Sequence, residues 1–468
     1  MTPMPTLCIH NPATGALIAE IPADDATSVA AKATAARAAQ PAWAARPIAQ
    51  RLAVIERFRA ALLREIEPLA CTLTREVGKP ISQSRNEING LMPRLDFFLE
   101  QAEGVVRDQQ VFDSGGMREQ ISHVPLGVVA NISAWNYPYF VGCNVIVPAL
   151  LTGNAVLYKP SEYATLTGQH IARLLHDSGV PPAVLACLVG AAEVGQALLA
   201  QRIDGLFFTG SHATGQRIAQ ALAPRLVKLQ LELGGKDPSY VRADADPLAA
   251  AESLADGAMY NTGQSCCAVE RIYVHADVFE TFVDHFCRTV DTLKTGDPMD
   301  PATTLGAITR APQVAVLDAQ VADALAKGAT LRRGGHRLPG PGNGFEATVL
   351  TEVNHTMDLM REESFGPVIG IQKVQGDEEA VTLMNDTRYG LTAGVYSRDE
   401  AAARALLSRV NAGSVYWNCC DRVSPRLPWS GVGDSGVGLT LSAQGIQTFT
   451  RPKAWHLRSP CERPTNSS

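Results

Sequence analysis

Two short Gly-flanked phrases carry side chains able to do covalent chemistry. Glu232-Leu-Gly-Gly-Lys236 offers a carboxylate, and Gly263-Gln-Ser-Cys266-Cys267 offers a thiol, with Glu232 and Cys266 34 residues apart. A thiolate can take an acyl group, and a carboxylate can activate the water that removes it. Each phrase alone has a plainer reading. Most cysteines in a large chain are buried, inert thiols, and Glu232 could be spent in a salt bridge with Lys236 or Lys228. Cys267 is as good a nucleophile as Cys266 on bare chemistry. A free thiol, with pKa of about 8.5, is only partly ionised at neutral pH, so such a site must favour the thiolate. Asn136, in Ser133-Ala-Trp-Asn-Tyr-Pro138, adds a neutral amide donor of the kind that stabilises an oxyanion, or is simply a turn residue before Tyr-Pro.

The elements around these residues alternate. Residues 24–108 read as mostly helical, with Ile48, Leu52, Ile55, Leu62, Ile66 and Leu69 forming one apolar stripe. From Val124 to Leu231 short apolar runs (Val128 to Ile132, Ala155 to Tyr158, Val184 to Val189, Leu206 to Phe208) alternate with helical patterns at Thr165 to His176 and Val194 to Gln201. A second block follows Gly235. Its strand candidates are Pro238 to Val241, Arg271 to Val274, Val349-Leu350, Val368 to Gln372, Thr392 to Tyr396 and Ser414 to Trp417. Helical patterns at Ala249 to Met259, Val278 to Leu293 and Glu400 to Ser408 separate them. Alternation of this kind predicts an α/β fold with parallel sheets covered on both faces, a doubly wound nucleotide-binding architecture. Glu232 then ends an apolar strand, a setting that raises a carboxyl pKa and suits a base.

Two further phrases sit where open parallel sheets bind ligands. Phe207-Phe-Thr-Gly-Ser-His-Ala-Thr-Gly215 follows a strand and opens a helix expected near Gln216, so Gly210 and Ser211 can face a phosphate. It is not the Gly-x-Gly-x-x-Gly fingerprint, and alone it is an ordinary strand–helix turn. Tyr158-Lys-Pro-Ser-Glu162 ends another strand, where Lys159 and Glu162 could reach ribose hydroxyls or form a solvated pair.

In this order, the phrases resemble the NAD(P)-dependent aldehyde dehydrogenase superfamily from near the start of the chain to close to its end. The resemblance selects Cys266 over Cys267 as nucleophile, makes Glu232 the base that hydrolyses a thioester, and gives Asn136 and the Cys266 backbone N–H to the oxyanion. It implies a cofactor cleft formed by Trp135, Lys159, Glu162, Gly210, Ser211, Gly215 and Leu233. In Glu362-Glu363-Ser364-Phe365-Gly366-Pro367 it places Glu363 on the nicotinamide ribose and Phe365 beside the ring; Ser364 departs from the aliphatic residue usual there. A carboxylate at Glu162 would repel a 2′-phosphate, which favours NAD while leaving NADP possible. Glu232 itself favours hydrolysis over transfer to CoA. The implied organisation is a discontinuous dinucleotide-binding domain (1–108 and 125–232), a catalytic domain (233–438) and a small β oligomerisation element (109–124 and 439–458). A homodimer or homotetramer is implied with it.

The family's substrate tunnel maps onto Tyr137, Val141, Asn144, Ser265, Cys267 and the stretch from Asn418 to Trp429. Arg422 and Arg426 could hold a carboxylate or be surface charges, and Tyr137 and Trp429 could flank an aromatic or cationic aldehyde. The phrase Pro428-Trp-Ser-Gly-Val-Gly-Asp-Ser-Gly436 has Gly433 where the family usually has Lys. The competing readings are a non-catalytic structural or binding member of the same fold, and a cysteine-dependent esterase, for which no His partner is placed by motif.

Bulk properties exclude other classes. The 468 residues suggest about three lobes, and 46% hydrophobic with 19% charged residues suffices for sizeable cores. Net charge is −6 and no Lys/Arg-rich run occurs, which argues against a nucleic-acid partner. The ten cysteines are scattered with no Cys-x-x-Cys, which points to a reducing, cytoplasmic setting rather than a disulfide framework. Neither a secretory leader nor a membrane span is expected, since apolar runs are short. No His-Glu-x-x-His or Cys/His cluster suggests a metal, and Asp244-Ala-Asp246 lacks the rest of a calcium loop. A disordered tail is expected from Ser459 to Ser468.

Overall fold

The structure, a computed structural model, describes residues 6–460, so most of the expected tail lies outside it. Apolar β-branched runs bounded by turn residues form two separate parallel sheets. The first has six strands, in the spatial order Gly436–Val437, Lys228–Glu232, Gly205–Thr209, Val128–Ile132, Ala155–Lys159 and Leu185–Cys187. Its pairings are parallel except for Gly436–Val437, which returns antiparallel against Lys228–Glu232. Helices Ala26–Ala44, Ile48–Arg64, Ile66–Val77 and Ile81–Val106 precede this sheet in the chain, and their apolar faces share one core with it.

The second sheet has seven strands: Thr330–Arg333, Thr348–Thr351, Val368–Val374, Val269–His275, Asp237–Val241, Thr392–Tyr396 and Ser414–Trp417. Only the outermost pair, Thr330–Arg333 with Thr348–Thr351, is antiparallel. The two-residue period of a strand sorts its side chains. Tyr240 and Tyr273 pack with Leu317 and Val321 on one face, while Val241, Ile272 and Val274 pack with Phe282 and Phe286 on the other. Both faces are therefore dry, as the alternating pattern predicts. Strand Thr330–Arg333 and helices Ala311–Ala326 and Asp377–Asn385 were not among the sequence expectations. Helix His212–Leu222 begins four residues before the expected Gln216.

A ribbon of Gln109–Ser114 and Met117–Pro125 turns at Gly115-Gly116, and Thr450–Arg458 pairs antiparallel with its second strand along nine register pairs from Thr450↔Pro125 to Arg458↔Met117. Among the described residues, no helix is long and apolar enough to cross a membrane.

Four residues, Leu233 to Lys236, carry the chain from the last residue of Lys228–Glu232 to the first of Asp237–Val241, that is, from one sheet to the other. Lys236 is buried and donates from Nζ to Glu270 Oε2 at 2.6 Å and to Ser364 Oγ at 3.0 Å. Glu270, also buried, accepts from the backbone N–H groups of Ser364 at 2.8 Å and Phe365 at 2.9 Å. Burial lowers the proton affinity of Lys236, and the Glu270 charge opposes that. Removing one member of such a pair strands the other charge. Lys236→Met should therefore lower unfolding free energy by about 3–5 kcal/mol, whereas Ser364→Ala should cost only about 0.5–1.5 kcal/mol. Denaturant unfolding of the three proteins checks the ranking; equal losses would mean the ion pair is not the strap's main anchor.

Candidate active site

The strands of the first sheet end together. Ile132, Lys159, Thr209 and Glu232 are the last residues of four adjacent parallel strands, and Ile132↔Lys159 and Thr209↔Glu232 are register pairs. The phrases after them, which hold Asn136, Glu162, Ser211 and Leu233, therefore lie along one edge. Cys266 comes from the other sheet, three residues before strand Val269–His275, and Phe365 stands three before Val368–Val374. The site thus lies between the C-terminal edge of one parallel sheet and the N-terminal edge of the other.

Cys266 is reached through a contorted turn. Asn261, Thr262 and Gly263 take positive φ values of 53°, 57° and 70°, which side chains other than glycine adopt only under constraint. The constraint is hydrogen bonding. Asn261 N–H donates to Gln83 Oε1, its Nδ2 donates to the Asn136 and Gln264 carbonyls, and Gln264 bonds to Ala307 O and Thr309 N–H. Asn136 Nδ2 donates to Gln264 O at 3.1 Å, which leaves its second amide hydrogen uncommitted. The Cys266 thiol donates to Glu232 Oε1 at 3.4 Å, and Trp429 Nε1 donates to the same oxygen at 2.9 Å. Burial raises the Glu232 pKa, with the Trp429 hydrogen bond opposing it. Contact with the Cys267 sulfur, which favours the protonated form, holds Cys266 well above an ordinary thiol, with lost hydration and the Glu232 charge acting in the same direction.

Two cavities meet at this pair. One of about 220 Å³ is lined by Trp135, Asn136, Gly210, Ser211, Leu233, Gly234, Glu363 and Phe365. The other, of about 560 Å³, is lined by Tyr137, Phe140, Val141, Asn144, Asp421, Arg422 and Trp429, among others. Thr209, Glu232 and Cys266 line both. In the smaller cavity, the rings of Trp135 and Phe365 meet edge to face at 5.5 Å. Glu363 Oε1 accepts from Gly235 N–H at 3.1 Å, and burial pushes its pKa up to about 8, with the Glu270 charge adding to the rise. Ser211 precedes helix His212–Leu222 and makes no side-chain cap there, so the N–H groups of His212 and Ala213, without partners among the described residues, can meet an anion. That open helix end, with the adjoining cavity, fits a dinucleotide.

The structure brings together most of the residues singled out in the sequence, but not all. Lys159 and Glu162 pair with each other at 3.7 Å beyond the smaller cavity, and Gly215 is buried against Leu233 rather than lining it. Ser265 and Cys267 do not line the larger cavity: the Cys267 thiol donates to Asp421 Oδ1 at 3.0 Å and the Ser265 hydroxyl to the same oxygen at 3.5 Å. Arg426 is exposed and also absent from the wall, because the turn from Ser424 to Leu427 carries it outward. Trp429 lines the cavity, but its indole N–H is spent on Glu232. Gly433, the departure from Lys, has φ 58°, a left-handed position where a Cβ would come within 2.5 Å of the Arg388 carbonyl. Sequence reasoning included Asp421 only as part of the stretch from Asn418 to Trp429, and it missed Arg94. The signal for Arg94 was a charge at helical spacing among Leu91, Leu95 and Phe98, all buried.

Among the described residues no cluster of His, Cys, Asp and Glu could hold a metal ion. Residues 3–455 match the aldehyde dehydrogenase family. The chain is 37% identical over 465 residues to a 3,6-anhydro-α-L-galactose dehydrogenase of Streptomyces coelicolor, covering 97% of this chain and 93% of that one. It is 34% identical to an NADP⁺ succinate-semialdehyde dehydrogenase of Deinococcus radiodurans, with 95% and 93% covered. The structure superimposes on that of PnpE in complex with nicotinamide adenine dinucleotide with a TM-score of 0.94 at 31% identity, covering 99% of this chain and 96% of that one.

The surroundings of Cys266 make a prediction for the free protein. Its alkylation by iodoacetamide should be slow at pH 7 and rise with pH up to the raised thiol pKa. Glu232→Gln, by removing a negative neighbour, should speed alkylation at pH 8, by about tenfold for each unit the thiol pKa falls. Mass spectrometry of the labelled peptide reads both. A slower variant would mean that Glu232 draws the proton from the thiol rather than holding it there.

Proposed function

The chain belongs to the aldehyde dehydrogenase family, which oxidises aldehydes to acids with NAD(P), and from that premise we propose that Cys266, Glu232 and Asn136 do the chemistry. The observation that carries the assignment is the position of Cys266 and Glu232, hydrogen-bonded to each other and lining both cavities. An aldehyde can approach from the larger cavity and a cofactor from the smaller, with the sulfur between them.

The Cys266 sulfur attacks the carbonyl carbon, and the thiol proton leaves along the existing hydrogen bond to Glu232. The oxyanion of the resulting thiohemiacetal takes the free amide hydrogen of Asn136 and the Cys266 backbone N–H. When bound in the smaller cavity, the nicotinamide supplies the hydride acceptor that leaves a thioester on Cys266. Glu232 passes the thiol's proton to solvent and then takes one from water as hydroxide adds to the thioester carbon; the carbon–sulfur bond breaks, that proton moves from Glu232 to the departing sulfur, and the acid leaves as the thiol reforms. Trp429 holds the carboxylate oxygen that must face that water.

Glu363 and Phe365 serve the nicotinamide end of the cofactor, and Gly210 and Ser211 its phosphates; Lys159 and Glu162 lie further along the same strand edge, where the adenosine ribose would sit. Glu162 supports NAD over NADP, since its carboxylate there would repel a 2′-phosphate. The named relatives include an NADP⁺ enzyme, so both cofactors belong in the test. The ribbon Gln109–Ser114 and Met117–Pro125 with Thr450–Arg458 is an oligomerisation element on this reading, and the dinucleotide-binding and catalytic domains divide between Glu232 and Leu233.

Stopped-flow absorbance with NAD and an oxidisable aldehyde tests the roles. Glu232→Gln should release about one equivalent of reduced cofactor per site and then stall, and Cys266→Ala should release none. In the wild type, hydrolysis-limited turnover should climb as pH rises through the elevated Glu232 pKa, because the base must first lose its proton. A Cys266→Ala protein with normal turnover would remove the nucleophile assignment. Separately, Glu162→Gln should narrow the ratio of kcat/KM for NAD over NADP. An unchanged ratio would show that Glu162 lies away from the 2′ position.

A further inference from the structure

Among the described residues, the buried cations are matched to partners, with one exception. Lys79 pairs with Glu87, and Lys236 with Glu270. Arg51 donates to the carbonyls of Leu151, Ala44 and Arg46, and Arg271 to those of Lys236, Leu383 and Met384. Arg94, only 6% exposed, makes one hydrogen bond, from Nη1 to Asn144 Oδ1 at 3.2 Å. Its guanidinium lies over the Phe140 ring at 4.0 Å, and among the described residues no carboxylate is within ion-pair distance of it. Guanidinium has five N–H donors and no acceptor. Four of them therefore have no partner among the described residues, although a buried charge is costly unless paired.

Arg94 lines the larger cavity together with Cys266. The nearby acids are already engaged: Glu87 with Lys79 and the Tyr139 N–H, Glu232 with Trp429 and Cys266, Asp421 with Cys267 and Ser265. Asp256 and Arg422 also line the cavity, but both are exposed, at its open end. Phe140, Val141 and Val145 give the wall an apolar stretch that would accept methylene groups. Resting on the dehydrogenase reading, we propose that Arg94 is a specificity-determining residue that receives a carboxylate at the far end of the substrate, so that the preferred aldehydes are short chains with a terminal acid. A carboxylate can accept two parallel N–H bonds from a guanidinium, the geometry Arg provides and Lys does not. Asn144 fixes the guanidinium from the adjacent helix Pro138–Leu151, and Phe140 supports its face.

The test compares succinate semialdehyde, butanal (the same chain length without the acid) and glyceraldehyde (neutral, with hydroxyls), each with NAD. The wild type should favour succinate semialdehyde. Arg94→Gln should raise its KM by about 10- to 100-fold, much more than that of butanal, with kcat changed far less; Arg94→Lys should recover part of the loss. Equal losses on all three aldehydes, a loss mainly in kcat, or a selective loss on glyceraldehyde would overturn the proposal. Should the variants fail to fold, product inhibition of the wild type against butanal decides instead: succinate should inhibit far more strongly than butyrate, and equal inhibition overturns the idea. Wild-type turnover of butanal without preference for the acid defeats this proposal alone. No reduced cofactor from any of the three defeats the dehydrogenase reading with it.

Discussion

The buried pair of Lys236 and Glu270 is the joint on which the site depends. Glu232 belongs to one sheet and Cys266 to the other, so their contact survives only if the four-residue strap between the sheets has a single conformation. Lys236 ends that strap, and its ammonium reaches Glu270 on strand Val269–His275, the strand that follows Cys266. The same carboxylate holds the N–H groups of Ser364 and Phe365, so three segments distant in sequence converge on one buried anion. Phe365 needs that support, because its φ of 49° is a left-handed conformation for a bulky side chain. The strap also explains its glycines. A Cβ on Gly234 would lie 2.3 Å from Glu363 Oε1, and one on Gly235 would lie 2.9 Å from the Cys266 carbonyl. Any larger residue would push the two sheets' contributions apart.

Ser364, which departs from the aliphatic residue usual in the family, gains a reason from this joint. Its hydroxyl accepts from Lys236 at 3.0 Å, adding a partner to a buried ammonium that would otherwise rely mainly on Glu270. Gly433 is a departure of another sort. The chain there follows a left-handed turn beside the Arg388 carbonyl, and Ser435, two residues on, bonds Gly234 O and the Gly390 N–H. The C-terminal phrase therefore pins the same strap from the opposite side.

Much of this arrangement was legible because it is local. Strands Val128–Ile132, Ala155–Lys159 and Thr392–Tyr396 stand within a residue of the runs that predicted them, since a doubly covered parallel strand must be apolar on both faces. Thr330–Arg333 was illegible because an edge strand with two arginines carries no such run. The contact of Cys266 with Glu232 could be anticipated because the Gly-flanked phrases that hold them are short. The wall of the larger cavity could not, since it is assembled from helix Ile81–Val106, helix Pro138–Leu151 and the loop holding Asp421, which are remote in sequence. Arg422 and Arg426 drew attention by lying in one loop, whereas the charge buried in the wall is Arg94, embedded in a helix that reads as core.

The distribution of charge around the thiol gives the wall a further logic. Glu232 meets the Cys266 thiol, Asp421 meets that of Cys267 and Glu363 lines the smaller cavity with Cys266, and burial raises the pKa of each, to about 8 for Glu363 and about 7 for Asp421. Ionising all three beside a thiolate would place four negative charges in a space with little water, so each charge raises the cost of forming the next. An anionic substrate entering a fully ionised site would be repelled. With Glu87 held by Lys79, Glu232 by Trp429 and Asp421 by Cys267, Arg94 is the buried charge of the larger cavity that has no carboxylate within ion-pair distance among the described residues. The same burial that makes Glu232 reluctant to ionise leaves the Arg94 guanidinium poorly screened by water.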